Sequence, residues 1–319
     1  MNHTDRSEEY RIIPACEGST YEELRSLWCE VFGDEPSYVD ALYDNFGDEI
    51  SGYAVVDAEG RVCSALSCYL CGYYEDRPVY VSYAICTRED MRGHGLGAML
   101  TAYVKDRVTA SGGISIVSPA EPSLEVFYAR LGYEPWFMAA ERAVMSPEFD
   151  EEEYEDYDEY DMDFGDEGDT GTFAPELELE QLSEEKYAKY REAFLSVRPH
   201  IELSDEMLRL VRAETAGGCG LYSINRGDAI CAVSESDRGR VVLAELILNP
   251  VLQELSLDID SEIASMLAVK FGAAETVYRM PGMGGCQSMA AGLSHAHADT
   301  DEDEFEAEYG EPYFGFPID

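Results

Sequence analysis

The chain has 319 residues, 45% of them hydrophobic, which is length enough for more than one average domain and for a sizeable core. Its 66 acidic residues against 22 basic give a formal net charge of −44, a field that repels nucleic acid and anionic membranes, so neither is expected as a partner. No apolar run approaches the roughly 20 residues that span a bilayer, and the opening MNHTDRSEEY lacks the apolar stretch of a signal peptide, so a cytoplasmic location is expected.

The nine cysteines show no recurrent spacing, and their single C-x-x-C, Cys68-Tyr69-Leu70-Cys71, lies in a strand-like apolar run, which points to reduced, mostly buried thiols rather than a disulfide framework or a zinc site. Along the chain, RIIPA predicts a short strand. A helix follows whose apolar stripe is Leu24, Leu27, Trp28, Val31 and Phe32, with Thr20 and Glu23 spaced as a capping box. SYVDALYDNF predicts a second helix ending before Gly47. The period then changes, and SGYAVV, RVCSALSCYLCGYY and VYVSYAIC predict an antiparallel meander, its turns at Asp57-Ala58-Glu59-Gly60 and at EDRP.

Next comes TREDMRGHGLGAMLTAYVKDRV, in which glycines 93, 95 and 97 alternate as a helix opens with the stripe Leu96, Met99, Leu100, Tyr103 and Val104. A glycine-rich turn at a helix N-terminus presents several backbone N–H groups, and the aligned peptide dipoles favour negative charge there, so the loop suits a pyrophosphate. Gly93-x-Gly95-x-x-Ala98 also satisfies the dinucleotide-binding fingerprint, which would make the chain a nicotinamide-dependent dehydrogenase. That fingerprint needs a strand running almost directly into its glycines. Here Thr87 to Asp90 intervene and a meander precedes.

Beyond SPAEPSLEVFYARLGYEPW lies EFDEEEYEDYDEYDMDFGDEGDTGTFAP, a block of like charge whose self-repulsion predicts an extended linker. It divides the chain into residues 10–147, a tract over 148–173 and a second half over 174–319. The second half repeats the order of the first: helices in EKYAKYREAFLSV and DEMLRLVRAE, and strands in CGLYSI, DAICAVS and VVLAELIL. A helix bearing Ile263, Met266, Leu267 and Phe271 follows, and then the strand AETVYRM. MPGMGGCQSMAAG predicts a loop, HADTDEDEFEAEYGEP a second acidic run, and PYFGFPID a closing strand. His295-x-His297-x-Asp299 has metal-ligand residue types but no fourth fixed ligand, so no metal is expected.

Arg92, Gly95 and Gly97 occupy the defining positions of Arg/Gln-x-x-Gly-x-Gly/Ala, the pyrophosphate loop of the GNAT superfamily of acetyl-CoA-dependent N-acyltransferases, which this sequence resembles. AICTREDMRG resembles that family's preceding strand and turn, and FYARLGY its Tyr-x-x-Leu-Gly-Tyr/Phe helix end. SPAEPSLEVFYARLGY with PYFGFPID is similar to a longer bacterial branch, related to Eis-type acetyltransferases, in which a second GNAT-like half follows. The resemblance implies an α/β fold, a mixed, mostly antiparallel twisted sheet flanked by helices, with a second degenerate GNAT-like domain. In that second domain VLQELSLDID, without glycine, stands where a coenzyme loop would be.

The resemblance further implies direct transfer of an acetyl group from acetyl-CoA, as co-substrate, to the primary amine of a small molecule or peptide, in a chain that can form a homo-oligomer. Coenzyme A pyrophosphate would meet backbone N–H groups of Arg92, Gly93, His94, Gly95, Leu96, Gly97 and Ala98, and pantetheine would bond the main chain of Ile85 and Thr87. Tyr128 stands at the position whose phenol protonates the leaving thiolate. Glu121, Glu245 and the terminal carboxylate of Asp319 remain open as the base. A non-catalytic acyl-CoA sensor or scaffold is the alternative.

Overall fold

In the computed structural model, which describes residues 10–147, 177–214, 219–236, 239–253, 258–281, 285–293 and 312–315, the chain begins as the alternation of its first half predicts. Strand β1 (Arg11–Pro14) leads into helices α1 (Gly18–Phe32) and α2 (Pro36–Phe46), then strands β2 (Ile50–Val56), β3 (Val62–Tyr74) and β4 (Arg77–Thr87). Helix α3 (Leu96–Ala110), strand β5 (Ile114–Val117), helix α4 (Pro122–Ala129) and strand β6 (Glu134–Met145) follow. The expected capping box does not form. Helix α1 starts at Gly18, and the Glu23 carboxylate accepts the Val62 N–H at 3.0 Å instead, tying the helix to β3.

The chain continues through β7 (Leu179–Gln181), α5 (Glu184–Leu195), β8 (Glu202–Leu203), α6 (Asp205–Glu214) and the meander β9 (Gly220–Ile224), β10 (Ala229–Ser236), β11 (Arg240–Leu248). After it come α7 (Pro250–Gln253), α8 (Ile259–Phe271), β12 (Glu275–Pro281) and β13 (Gly285–Ala291). Two units emerge that are not consecutive in sequence. One comprises Met1–Ala139, Arg198–Leu210 and Gly282–Asp319, the other Ala140–Val197 and Val211–Pro281. Residues 198–210 and 282–319, which the sequence partition counts with the second half, thus group with the first.

In the first unit the strands run β1-β2-β3-β4-β5-β13-β6, with β8 added along the end of β3. All neighbours described by register are antiparallel except β4 and β5, which need the α3 crossover. Helix α3 buries Leu96, Leu100, Val104 and Val108 against Val55, Cys63, Leu66 and Cys68. Met99 and Tyr103, assigned from spacing to the buried stripe, are partly exposed, and Thr101 and Val108 lie inside in their place. The Met- and Gly-rich segment expected as a loop contains β13. Of the closing PYFGFPID, the described residues 312–315 hold an isolated bridge between Tyr313 and His200 rather than a strand.

In the second unit the order is β7-β9-β10-β11-β12, again antiparallel except for the pair β11 and β12, which α8 separates in sequence. Ile263, Ala264 and Leu267 of α8 pack on Ile224, Cys231, Val241, Leu243 and Tyr278. Both units therefore share one plan: strand, helices, three-strand meander, helix, parallel strand.

Candidate active site

Strand β4 carries the first part of the site because its pairing fails on both edges near one point. Its ladder with β3 runs from Arg77 to Tyr83 and resumes at Cys86, so Ala84 and Ile85 together oppose the single residue Leu66. Ala84 takes a φ of +50°, and this bulge kinks the strand. On the other edge β4 pairs with β5 only as far as Val81 opposite Ile116. Past that point the two strands are no longer bonded, and Ile85 and Thr87 lie on the free stretch of β4.

The second part is the glycine loop. Gly93 and Gly95 have φ of +80° and +78°, a left-handed conformation that other residues adopt only with strain, and Gly95 is the residue at which α3 begins. No side chain caps that helix and its first turn holds no acidic residue. The first helical bond runs from Met99 N–H to Gly95 O at 3.0 Å, so the amides of Leu96, Gly97 and Ala98 precede the ladder and face outward. Gly97 differs from the other two glycines. A Cβ there would sit 3.5 Å from Thr87 Oγ1, an ordinary contact.

The third part is α4. Its C-terminal turn is closed by Leu131 and Tyr133 N–H bonds to the Tyr128 carbonyl, at 2.9 and 3.2 Å, and Gly132 supplies the φ of +85° that the reversal requires. The returning Tyr133 is buried, its hydroxyl 2.9 Å from Ser115 Oγ, and its ring stands edge-on to that of Tyr128 at 6.0 Å. Burial pushes the Tyr128 phenol above its ordinary pKa, so it keeps its proton at neutral pH.

These three parts meet in one cleft of about 460 Å³ lined by Ile85, Thr87, Arg92, Gly93, Gly95, Gly97, Ala98, Leu124, Phe127 and Tyr128. Two residues of the sequence-derived set do not line it. His94 is exposed, its Nδ1 3.2 Å from the Met91 and Arg92 carbonyls, and the Leu96 side chain is in the core. Leu124 and Phe127 were missed. Their spacing from Tyr128, four and one residues back on a helix, was the available signal. The Ala84 bulge has no signature in residue type.

Among its lining residues the cleft has one charged group, the Arg92 guanidinium, whose Nε donates to Thr87 O at 3.3 Å. In a chain of net charge −44 this concave wall, with a cation, an open helix N-terminus and no carboxylate among its described residues, is suited to an anion. The apolar side made by Ile85, Leu124 and Phe127 suits the uncharged arm of such a ligand.

The second unit answers the same geometry differently. Asp260, in the first turn of α8, is buried and accepts bonds from Arg142 and from the Tyr278 hydroxyl, both at 2.7 Å. Glu245 is also fully buried, bonded by Tyr187 at 2.7 Å and by Arg191 at 3.3 Å, so this candidate base is engaged in the core of that unit. Glu121 is exposed at the start of α4. Asp319, the His295-x-His297-x-Asp299 group and both acidic runs lie outside the described residues, apart from Pro312 at the end of the second. Among the described residues no cluster of acidic, histidine or cysteine side chains could hold a metal ion, and no helix is long and apolar enough to cross a membrane.

Residues 18–133 match the model of the Acetyltransferase (GNAT) family. A probable N-acyltransferase from Enterococcus faecalis V583 has a similar structure, with a TM-score of 0.60 at 11% identity over 88% of this chain and 72% of that one. A GCN5-related N-acetyltransferase from Anabaena variabilis ATCC 29413 gives 0.62 at 11% identity over the same shares. Eis1 from Mycobacterium abscessus gives 0.50 at 12% over 84% and 65%. At such identities the likeness is one of fold. No curated protein matches the chain in sequence.

Proposed function

With residues 18–133 forming a domain of the GNAT acetyltransferase family, we propose that this chain transfers the acetyl group of acetyl-CoA to a primary amine of a small molecule or peptide, by direct attack in a ternary complex. The observation that carries this is the meeting of the open α3 amides, the β4 bulge and a protonated Tyr128 in one cleft.

Amides from Gly93 to Ala98, with Arg92, hold the pyrophosphate, and the main chain of Ile85 and Thr87 holds the pantetheine against Leu124 and Phe127. As the amine attacks, negative charge grows on the carbonyl oxygen and then on sulfur. A backbone N–H at the bulge, near Ile85, stabilises the first, and the Tyr128 hydroxyl gives its proton to the second. The free amine must lose a proton before or during attack, and among the described residues that line the cleft there is no carboxylate to take it.

The test is a thermal-shift titration with acetyl-CoA and with NAD, followed by a screen of amines for thiol release. Acetyl-CoA should stabilise the protein by mass action and NAD should not. Gly95→Glu should abolish the shift, because it strains a left-handed position and brings a carboxylate to the anion site. A full acetyl-CoA shift in that folded variant would remove the site assignment. Binding without thiol release for any amine would favour the sensor reading.

A further inference from the structure

The glycine- and methionine-rich segment near the C-terminus finds its use in β13, which is inserted between β5 and β6 in the first unit although Met289 lies 167 positions after Pro122, where α4 begins. We infer that Met289 is a positioning residue for Tyr128. It packs in the cluster that holds the Tyr128 ring and so sets the place of the phenol.

Two independent contacts support this. Met289 is buried in one cluster with Tyr128, Tyr133, Val117 and Ala291, against which Ile85, Leu124 and Phe127 of the cleft also pack. Side chains two apart share a strand face, so Met289 and Ala291 present a large and a small residue to the Tyr128 and Tyr133 rings. An unbranched thioether fills the irregular space behind a ring that must be held in one orientation.

The second contact is in the ladder. Val117, the last residue of β5, pairs with Met289, one residue past Ile116, where the parallel ladder with β4 ends. A hydrogen bond of 2.8 Å between Ser118 and Ser288 fastens the next step. The strand that carries Met289 therefore anchors the β5 edge of the opening where Ile85 lies. Packing in that cluster orients the Tyr128 ring, and a shift of the phenol of about 1 Å is enough to lower turnover about 100-fold.

The inference rests on the proposed acid role of Tyr128, and a double-mutant cycle separates the two. Met289→Ala should lower kcat about 10- to 100-fold at saturating acetyl-CoA while changing its Kd by less than about threefold, and Met289→Leu should restore most of the loss. In a Tyr128→Phe background Met289→Ala should lower kcat no further than about twofold, because an absent proton donor cannot be misplaced. An equal loss in both backgrounds would overturn the inference while leaving Tyr128 as the acid. Normal turnover in Tyr128→Phe would overturn the acid role and this inference with it. Met289→Val leaves a smaller gap on a strand-compatible residue and serves if the alanine variant does not fold. If neither variant shows an acetyl-CoA thermal shift, Met289 acts on stability alone and the inference fails.

Discussion

Gly95 and Gly97 look alike in sequence and differ in the structure, which yields opposite expectations for the same substitution. Gly95 has a φ of +78°, where an alanine costs about 1–2 kcal/mol, whereas Gly97 has helical backbone and a Cβ there would make an ordinary contact. Gly97→Ala should therefore keep acetyl-CoA affinity and raise stability by up to about 1 kcal/mol through helix propensity. Gly95→Ala should lower both, as denaturant unfolding and calorimetry would show. Tyr128 gives a second expectation at this scale. In the proposed acid role it acts as the protonated phenol, so its contribution would be full at low pH and lost as pH rises through its folded pKa. Burial has raised that pKa, which places the limb above the ordinary tyrosine value of about 10. A kcat profile should place its Tyr128-dependent limb above the ordinary tyrosine range, and Tyr128→Phe should remove the limb while lowering kcat roughly 10²- to 10⁴-fold. A Tyr128 limb below pH 9 would contradict the burial argument.

At the scale of elements, the parts legible in the sequence were those with a period or a compulsory backbone. Alternation marked the meander, Leu96 and Leu100 marked the inner face of α3, and the Gly93, Gly95 and Gly132 turns had to be glycine for left-handed φ. What escaped depended on partners distant in sequence. Met289 reads as loop because Gly284 and Gly285 precede it, and only β5 and β6 on either side make it a strand. Ala84 bulges because β3 offers one residue against two. Glu245 shows the converse, a residue whose type suggested chemistry and whose surroundings assign it to structure. Its replacement by glutamine removes the negative charge that faces the buried Arg191 guanidinium, so stability should fall by about 3 kcal/mol, the lower end for a broken buried pair. Turnover of the folded protein should not change. A 100-fold loss of kcat at full stability would return Glu245 to the list of bases. Helix α8, with Asp260 buried at its start, offers no open anion site like that of α3, so calorimetry should count one acetyl-CoA per chain and none in Gly95→Glu.

On the scale of the whole molecule, importance does not follow position along the chain. The first unit draws on three separate stretches, and its last contribution comes after Gly282. Without that stretch, β5 and β6 would each lose their partner β13, Phe137 would lose the ring of Phe314 that lies 6.2 Å away, and β8 would lose the Tyr313 bridge beside it. Unpaired central edges and an opened aromatic core are not offset by any local propensity of residues 1–147. A fragment of residues 1–147, although it contains Arg92, the three loop glycines and Tyr128, should therefore show neither a cooperative melt nor an acetyl-CoA shift. Excision of residues 151–170 removes a similar kind of acidic sequence without touching any of these partners, and its self-repelling charge gives it little to contribute to a core. That shortened chain should melt cooperatively and bind acetyl-CoA with Kd within about threefold of the full chain, since distant independent changes leave a site nearly unaltered. Both proteins can be compared in one thermal-shift experiment with and without acetyl-CoA. A folded, coenzyme-binding 1–147 fragment would show that β13 is dispensable to the first unit, and failure of the excised chain would show that residues 151–170 contribute to folding in a way their charge does not suggest.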